Sequence, residues 1–258
     1  MGTIRGPDLH VVSLRYAVEP DEGFSYNSPP PVSFDTPQAR FRLADGSLTC
    51  DMKMHFSDVK AARDAVEPIL RAWEADSDLR HNRGQLRFKF DAPEVIDRSP
   101  TPPGSASLVV SSTLATTMAG SVSVHVASSK YPDPPPEHFR LDPDAETLLD
   151  RYYGYLDHRE PLPSMAYFCE TVLEAKAGGR KKAAAKYVID VNILNKIGEL
   201  SSTRGDDLTS RKAAAAQPLS STEAAWLEAA IKLLIRRLAD TRALSTLPIL
   251  TMADLPSL

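Results

Sequence analysis

Three consecutive basic residues, Arg180, Lys181 and Lys182, follow a glycine pair in the stretch GGRKKAAAKY. The alanines behind them favour a helix, so the basic side chains would lie in its first turn. The helix dipole disfavours cations there, by roughly 0.3–1 kcal/mol each at low salt. A phosphate bound to the free backbone amides of that turn would reverse the penalty. The stretch therefore predicts either an anion-binding site or a solvated helix start, and both interpretations stay open.

Basic residues continue to accumulate beyond this stretch. Between residues 176 and 212 the chain has nine basic and four acidic residues, a local charge of +5 in a chain of formal net charge −4. A patch of this sign is typical of phosphate contacts, whereas the acidic chain as a whole is not a polyanion binder. The candidate anion-binding or nucleic-acid-binding residues are Arg180, Lys181, Lys182, Arg204, Arg211 and Lys212.

Six residues separate a second candidate pair, Arg151 and His158. Their spacing meets the R-x4–6-H motif, and with the helical pattern of residues 142–258 it resembles the ribonucleases of the bacterial HEPN superfamily. Tyr152 departs from that pattern, because a polar residue usually stands at its position. The resemblance implies nucleic-acid binding or ribonuclease activity, with Arg151 and His158 as catalytic residues that converge at a helix-pair or dimer cleft.

Motifs for other common chemistries are absent from the sequence. It contains no phosphate-binding loop of the G-x-x-x-x-G-K type, no dinucleotide fingerprint, no H-E-x-x-H and no G-x-S-x-G. Cys50 and Cys169 fall on apolar faces, which is typical of core residues. His55 and His125 occupy outward positions of predicted strands, which fits either a paired site or two solvated side chains. We expect no metal site and no cofactor, and whether the protein is an enzyme stays open.

The elements that would position these residues follow from two periodicities. Up to about residue 141 apolar and polar residues alternate, as in the hairpin pattern of residues 41–56, which indicates mostly antiparallel strands. A helical period at about residues 57–75 interrupts them, and Pro68 would kink or split that helix. Beyond residue 141 a period of 3.6 persists and predicts about four helices. The fold class is α+β, with a strand-rich N-terminal half and an all-helical C-terminal half.

Domain boundaries follow from the same change of period. We place a β-rich domain at residues 1–141 and a helical domain at residues 142–258, because the proline-rich residues 132–137 cannot lie inside a sheet. The helical domain ends in an apolar, proline-interrupted tail, residues 247–258. An apolar tail exposed to water would promote aggregation, so we expect it to pack on the β-rich half or on a second copy.

Composition restricts the class of protein. With 42% hydrophobic and 25% charged residues, the chain is typical of a folded soluble protein. Its two cysteines fit a reducing compartment, and no window approaches the ~20 apolar residues that a membrane span needs. We therefore expect a cytoplasmic protein that does not contact membranes.

Together these features favour a non-enzymatic protein that engages a macromolecular partner through its helical half. That partner would be another protein or a second copy of the chain, and nucleic acid would bind through residues 176–212. Two alternatives remain: the HEPN-like activity, and a small-molecule sensor with a pocket between the two halves.

Overall fold

A computed structural model describes residues 7–81, 83–99, 126–203, 218–243 and 246–258. The chain divides into two compact units, residues 1–136 and 137–258. An antiparallel sheet with one helix forms the first unit, and helices form the second, so the predicted α+β class is confirmed.

Seven strands are described in the first unit. They are β1 (Leu9–Val18), β2 (Phe24–Tyr26), β3 (Val32–Asp35), β4 (Ala39–Ala44), β5 (Ser47–Met52), β6 (Phe88–Asp97) and β7 (Val126–Ser128). Five of them form an antiparallel sheet in the order β3-β4-β5-β1-β6, while β2 and β7 form a separate parallel pair. The β4–β5 turn uses Asp45 and Gly46, both at positive φ (49° and 73°), which matches the right-handed twist of a tight hairpin.

Helix α1 (Val59–Arg80) packs on one face of this sheet. Because β5 and β6 are both antiparallel to β1, they run parallel to each other and need a crossover, which α1 supplies. The core between them includes Phe41, Leu48 and Trp73, each fully buried.

The helix runs through Pro68 without a break and continues to Arg80, so the predicted split is wrong and the predicted end is too early. A proline inside a helix costs about 3 kcal/mol, which burial of Val66, Leu70 and Trp73 against the sheet offsets.

The second unit contains five α-helices among its described residues. They are α2 (Pro143–Leu156), α3 (Leu162–Ala177), α4 (Arg180–Tyr187), α5 (Val191–Thr203) and α6 (Ser221–Leu238). Glycines at positive φ, Gly178 (79°) and Gly179 (118°), separate α3 from α4. As the sequence predicts, Ser220 and Glu223 form the capping box that starts α6.

The C-terminal tail packs on the helical unit itself. Leu250 exchanges backbone hydrogen bonds with the α4–α5 connection, donating to Val188 O (3.0 Å) and accepting from Asp190 N (2.8 Å). Arg237 of α6 donates to Pro248 O (2.8 Å), and Leu247 and Leu255 are 8% exposed. The tail therefore packs within the helical unit, where it satisfies carbonyl and amide groups left over by the helix ends. The expected packing on the β-rich half or on a second copy stays a prediction.

Candidate functional site

Arg180 is occupied by ion pairs inside the helical unit. Its Nη2 lies 2.6 Å from Glu170 Oε1, and its Nε lies 2.6 Å from Glu174 Oε1. Glu170 is 3% exposed, and burial raises its pKa to about 7, with the charge of Arg180 opposing that rise and the charge of Glu174 adding to it. This guanidinium therefore joins α4 to α3, and its role in anion binding stays a prediction.

Helix α5 lies close to this ion pair at Gly198. A Cβ on Gly198 would lie 2.7 Å from Arg180 Nη2 and 3.0 Å from both carboxylate oxygens of Glu170. The absence of a side chain at Gly198 lets α5 approach the pair closely, and the sequence carries no signal for this role.

Three lysines of α4 face solvent. Lys181, Lys182 and Lys186 are exposed, and none of them forms an ion pair with a residue that the structure describes. Lys186 lies over the ring of Tyr187, with its Nζ 4.9 Å from the centroid. We call these three residues the α4 lysine face. The other three predicted basic residues, Arg204, Arg211 and Lys212, lie outside the described residues.

The first turn of α4 offers free donors beside these lysines. Its N-cap residue is Gly179, which has no side chain to accept from the first amides, and the first backbone bond of the helix runs from Ala183 N to Gly179 O (2.9 Å). The amides of the three preceding positions therefore point out of the helix end, as in other uncapped helices. No acidic residue lies in this turn.

Arg151 lies in an open pocket of about 450 Å³ within the helical unit. We call it the α2–α3 pocket. The residues that line it include Thr147, Asp150, Arg151, Gly154, Glu160 and Phe168. Four of them recur at helical spacing along one stripe of α2, and Phe168 comes from α3.

The guanidinium of Arg151 stacks on Phe168, with its Cζ 4.0 Å from the ring centroid. Its Nη1 lies 3.6 Å from Glu160 Oε1, which is too long for a hydrogen bond. Arg151 therefore has a fixed orientation while its N–H groups stay available.

The turn between α2 and α3 brings Glu160 back over α2. His158 adopts a left-handed conformation (φ 55°), and Arg159 N then donates to Gly154 O (2.9 Å). A Cβ on Gly154 would lie 3.1 Å from Glu160 Oε1, so only glycine lets the carboxylate settle here without a shift.

His158 itself is exposed and does not line the pocket that contains Arg151. His158 therefore takes part in reversing the chain, and its convergence with Arg151 at a helix-pair or dimer cleft stays a prediction.

The first unit contains a histidine pair that the sequence pattern does not predict. His55 Nδ1 lies 3.1 Å from Nδ1 of His10, and the two rings stack with centroids 5.1 Å apart. His10 is 6% exposed, and its pKa is lowered by burial first and then by the charges of Arg98 and His55. The predicted partner of His55, His125, lies outside the described residues.

Neither thiol is placed for chemistry. Cys50 and Cys169 are both fully buried, and burial raises the pKa of each to about 12. Within the described ranges, no group of three or more histidine, cysteine or acidic side chains is arranged to hold a metal ion. No helix in the same ranges is long and apolar enough to cross a bilayer.

Comparison of the chain with protein families, with curated proteins and with solved structures found no match. Function is therefore inferred from the local chemistry of the helical unit.

Proposed function

We propose that the protein is a non-enzymatic, cytoplasmic binding protein whose helical unit engages nucleic acid through the α4 lysine face. The observation that carries the proposal is the exposure of Lys181, Lys182 and Lys186 on one short helix without an acidic partner among the described residues. Elsewhere in the described chain, by contrast, lysines are commonly paired, as in Lys176 with Asp144 and Lys196 with Glu199.

Helix geometry supports this proposal. Cations in the first turn of a helix oppose its dipole, so Lys181 and Lys182 cost stability in the free protein. A phosphate placed at the uncapped amides of α4 would remove that cost and accept hydrogen bonds from the backbone. Such contacts read the phosphate backbone and carry no base specificity, so we expect weak binding without sequence preference.

The cysteines support two parts of this proposal, that the protein binds and does not catalyse a reaction, and that it is cytoplasmic. The only thiols of the chain are buried with raised pKa values, which removes them as nucleophiles. Unpaired cysteines also fit a reducing compartment.

The test is fluorescence anisotropy with a labelled single-stranded RNA of about 20 nucleotides, across about 50 to 200 mM salt. Wild-type protein should bind in the micromolar range, with log affinity falling linearly with log salt. The triple variant Lys181→Ala, Lys182→Ala, Lys186→Ala should flatten the slope by up to about 2 units, since each phosphate contact on a single strand contributes about 0.7.

The matched control removes the same number of charges from the first unit. Lys60, Lys89 and Lys130 have side chains 81%, 64% and 63% exposed, and their replacement by alanine should leave the slope unchanged. The proposal fails if wild-type protein does not bind RNA at low salt. It also fails if both triple variants flatten the slope equally, because net charge alone would then explain binding.

A further inference from the structure

The α2–α3 pocket contains a partly buried carboxylate that accepts no hydrogen bond from a described residue. The Glu160 side chain is 15% exposed, and no described residue donates a hydrogen bond to it. Its nearest cation, Arg151 Nη1, lies 3.6 Å away, whereas Arg180 reaches Glu170 at 2.6 Å in the same unit. A carboxylate without donors from its own protein keeps its acceptor sites available to a ligand that carries N–H groups.

An acidic neighbour strengthens the preference for a cationic donor at this position. Asp150 lines the same pocket, is exposed, and has no ion-pair partner among the described residues. An ammonium group has three N–H donors and a positive charge, so it matches a pocket wall that carries Glu160 and Asp150.

Two arginines, Arg151 and Arg159, supply positive charge to the same pocket. The Phe168 ring stacks on the face of the Arg151 guanidinium. The N–H groups at the edges of the guanidinium can therefore bind a planar acceptor. The described residues accept no hydrogen bond from Arg151 at ordinary distance. Arg159 also lines the pocket, although its Nη2 pairs with Asp157 Oδ2 at 2.9 Å. A guanidinium fixed in this way binds a carboxylate through two parallel hydrogen bonds.

We propose that the α2–α3 pocket binds a small zwitterion, a molecule with one ammonium and one carboxylate group such as a free α-amino acid. The ammonium contacts Glu160 and Asp150, and the carboxylate contacts Arg151. The lining has two acidic and two basic side chains, so a ligand with both charges would contact side chains of both signs. A cavity of about 450 Å³ lies within the range of small-molecule sites.

The experiment uses the full-length protein and the twenty free L-amino acids as probes at millimolar concentration. Thermal unfolding identifies amino acids that stabilise the protein, and isothermal titration calorimetry measures their affinity. We expect at least one to bind. Its N-acetyl derivative lacks the ammonium and its C-terminal amide lacks the carboxylate, so each should bind at least tenfold more weakly.

Variants locate the site. Glu160→Gln and Arg151→Gln should each weaken binding at least tenfold, and Gly154→Ala should weaken it because the new Cβ would lie 3.1 Å from Glu160 Oε1 and displace that carboxylate. Glu199→Gln and Arg242→Gln change exposed residues of the same unit outside the pocket and should bind like wild type. Thermal unfolding without ligand checks that each variant is folded.

Three results would overturn the proposal. In the first, none of the twenty amino acids stabilises or binds the protein. In the second, the N-acetyl or amide derivative binds as tightly as the parent amino acid, which would contradict recognition of both charges. In the third, folded Glu160→Gln and Arg151→Gln proteins both retain full affinity, which would place the ligand elsewhere.

Discussion

At the scale of single residues, Glu170 and Glu174 share one guanidinium, that of Arg180. Two carboxylates near one cation cannot both be ionised without cost when one of them is buried, and Glu170 is the buried one. Its pKa of about 7 lies above the ordinary 4.5, so the folded protein holds this proton more tightly than the unfolded chain. The stabilisation from this group is complete below about pH 4.5 and is lost as the pH rises through about 7.

Replacing Glu170 by glutamine should therefore change how stability depends on pH. The wild-type helical unit should lose up to about 3 kcal/mol of unfolding free energy through this group between pH 5 and pH 8. Glu170→Gln should lack that loss, because glutamine does not titrate. Urea unfolding at several pH values measures the difference.

The control for this series is Glu199→Gln, which removes an exposed carboxylate of α5. It should follow the wild-type curve. Stability–pH curves of wild type and Glu170→Gln that run parallel would contradict the assignment of the proton to Glu170.

At the scale of elements, the tail is held by a small number of buried groups. Leu255 is 8% exposed, while Leu258, three residues later, is 52% exposed. Leu255→Ala should lower the unfolding free energy of the helical unit by about 2 kcal/mol, the lower end of the cost of truncating a buried leucine. Leu258→Ala provides a matched control at an exposed position and should stay within about 0.5 kcal/mol of wild type.

Chemical denaturation followed by tryptophan fluorescence measures both variants, because Trp226 lies in the core of the helical unit. Equal stabilities for Leu255→Ala and wild type would show that the tail does not contribute to the folded state in solution.

The elements were also the part of the structure that the sequence predicted best. Alternation defined the β4–β5 hairpin, and Ser220 with Glu223 marked the start of α6, because both signals are local. The persistence of α1 through Pro68 could not be predicted, since it depends on burial against a sheet whose position the sequence does not reveal.

The candidate site was harder to predict for the same reason. Arg180 has the charge and position of a phosphate ligand, yet its partners lie six and ten residues earlier on another helix. The contact between His10 and His55 depends on the register of β1 against β5, and that of Glu160 with Gly154 on a left-handed turn. Charge and spacing alone contain none of this information.

At the scale of the whole molecule, the segment that joins the two units is anchored at both ends. Tyr131 is 1% exposed, and its hydroxyl accepts from Gly46 N (2.8 Å) in the first unit. Phe139 is 3% exposed, and Arg140 N donates to Ala239 O (2.8 Å) in the second. Between these anchors Asp133 and Glu137 are exposed, so we expect a protease to reach the backbone there.

Glu137 is therefore the expected first cleavage site for a glutamate-specific protease, ahead of the helical Glu146, Glu174 and Glu228. Each of the two units has its own hydrophobic core, so the separately expressed fragments 1–136 and 137–258 should each unfold cooperatively. As a control, division after Glu160 separates α2 from α3 and should give fragments without a cooperative transition. Mass spectrometry of a proteolysis time course and thermal denaturation followed by circular dichroism provide the measurements. Cleavage within α3 or α6 before Glu137, or fragments 1–136 and 137–258 that unfold without cooperativity, would show that the two units are not independent folding domains.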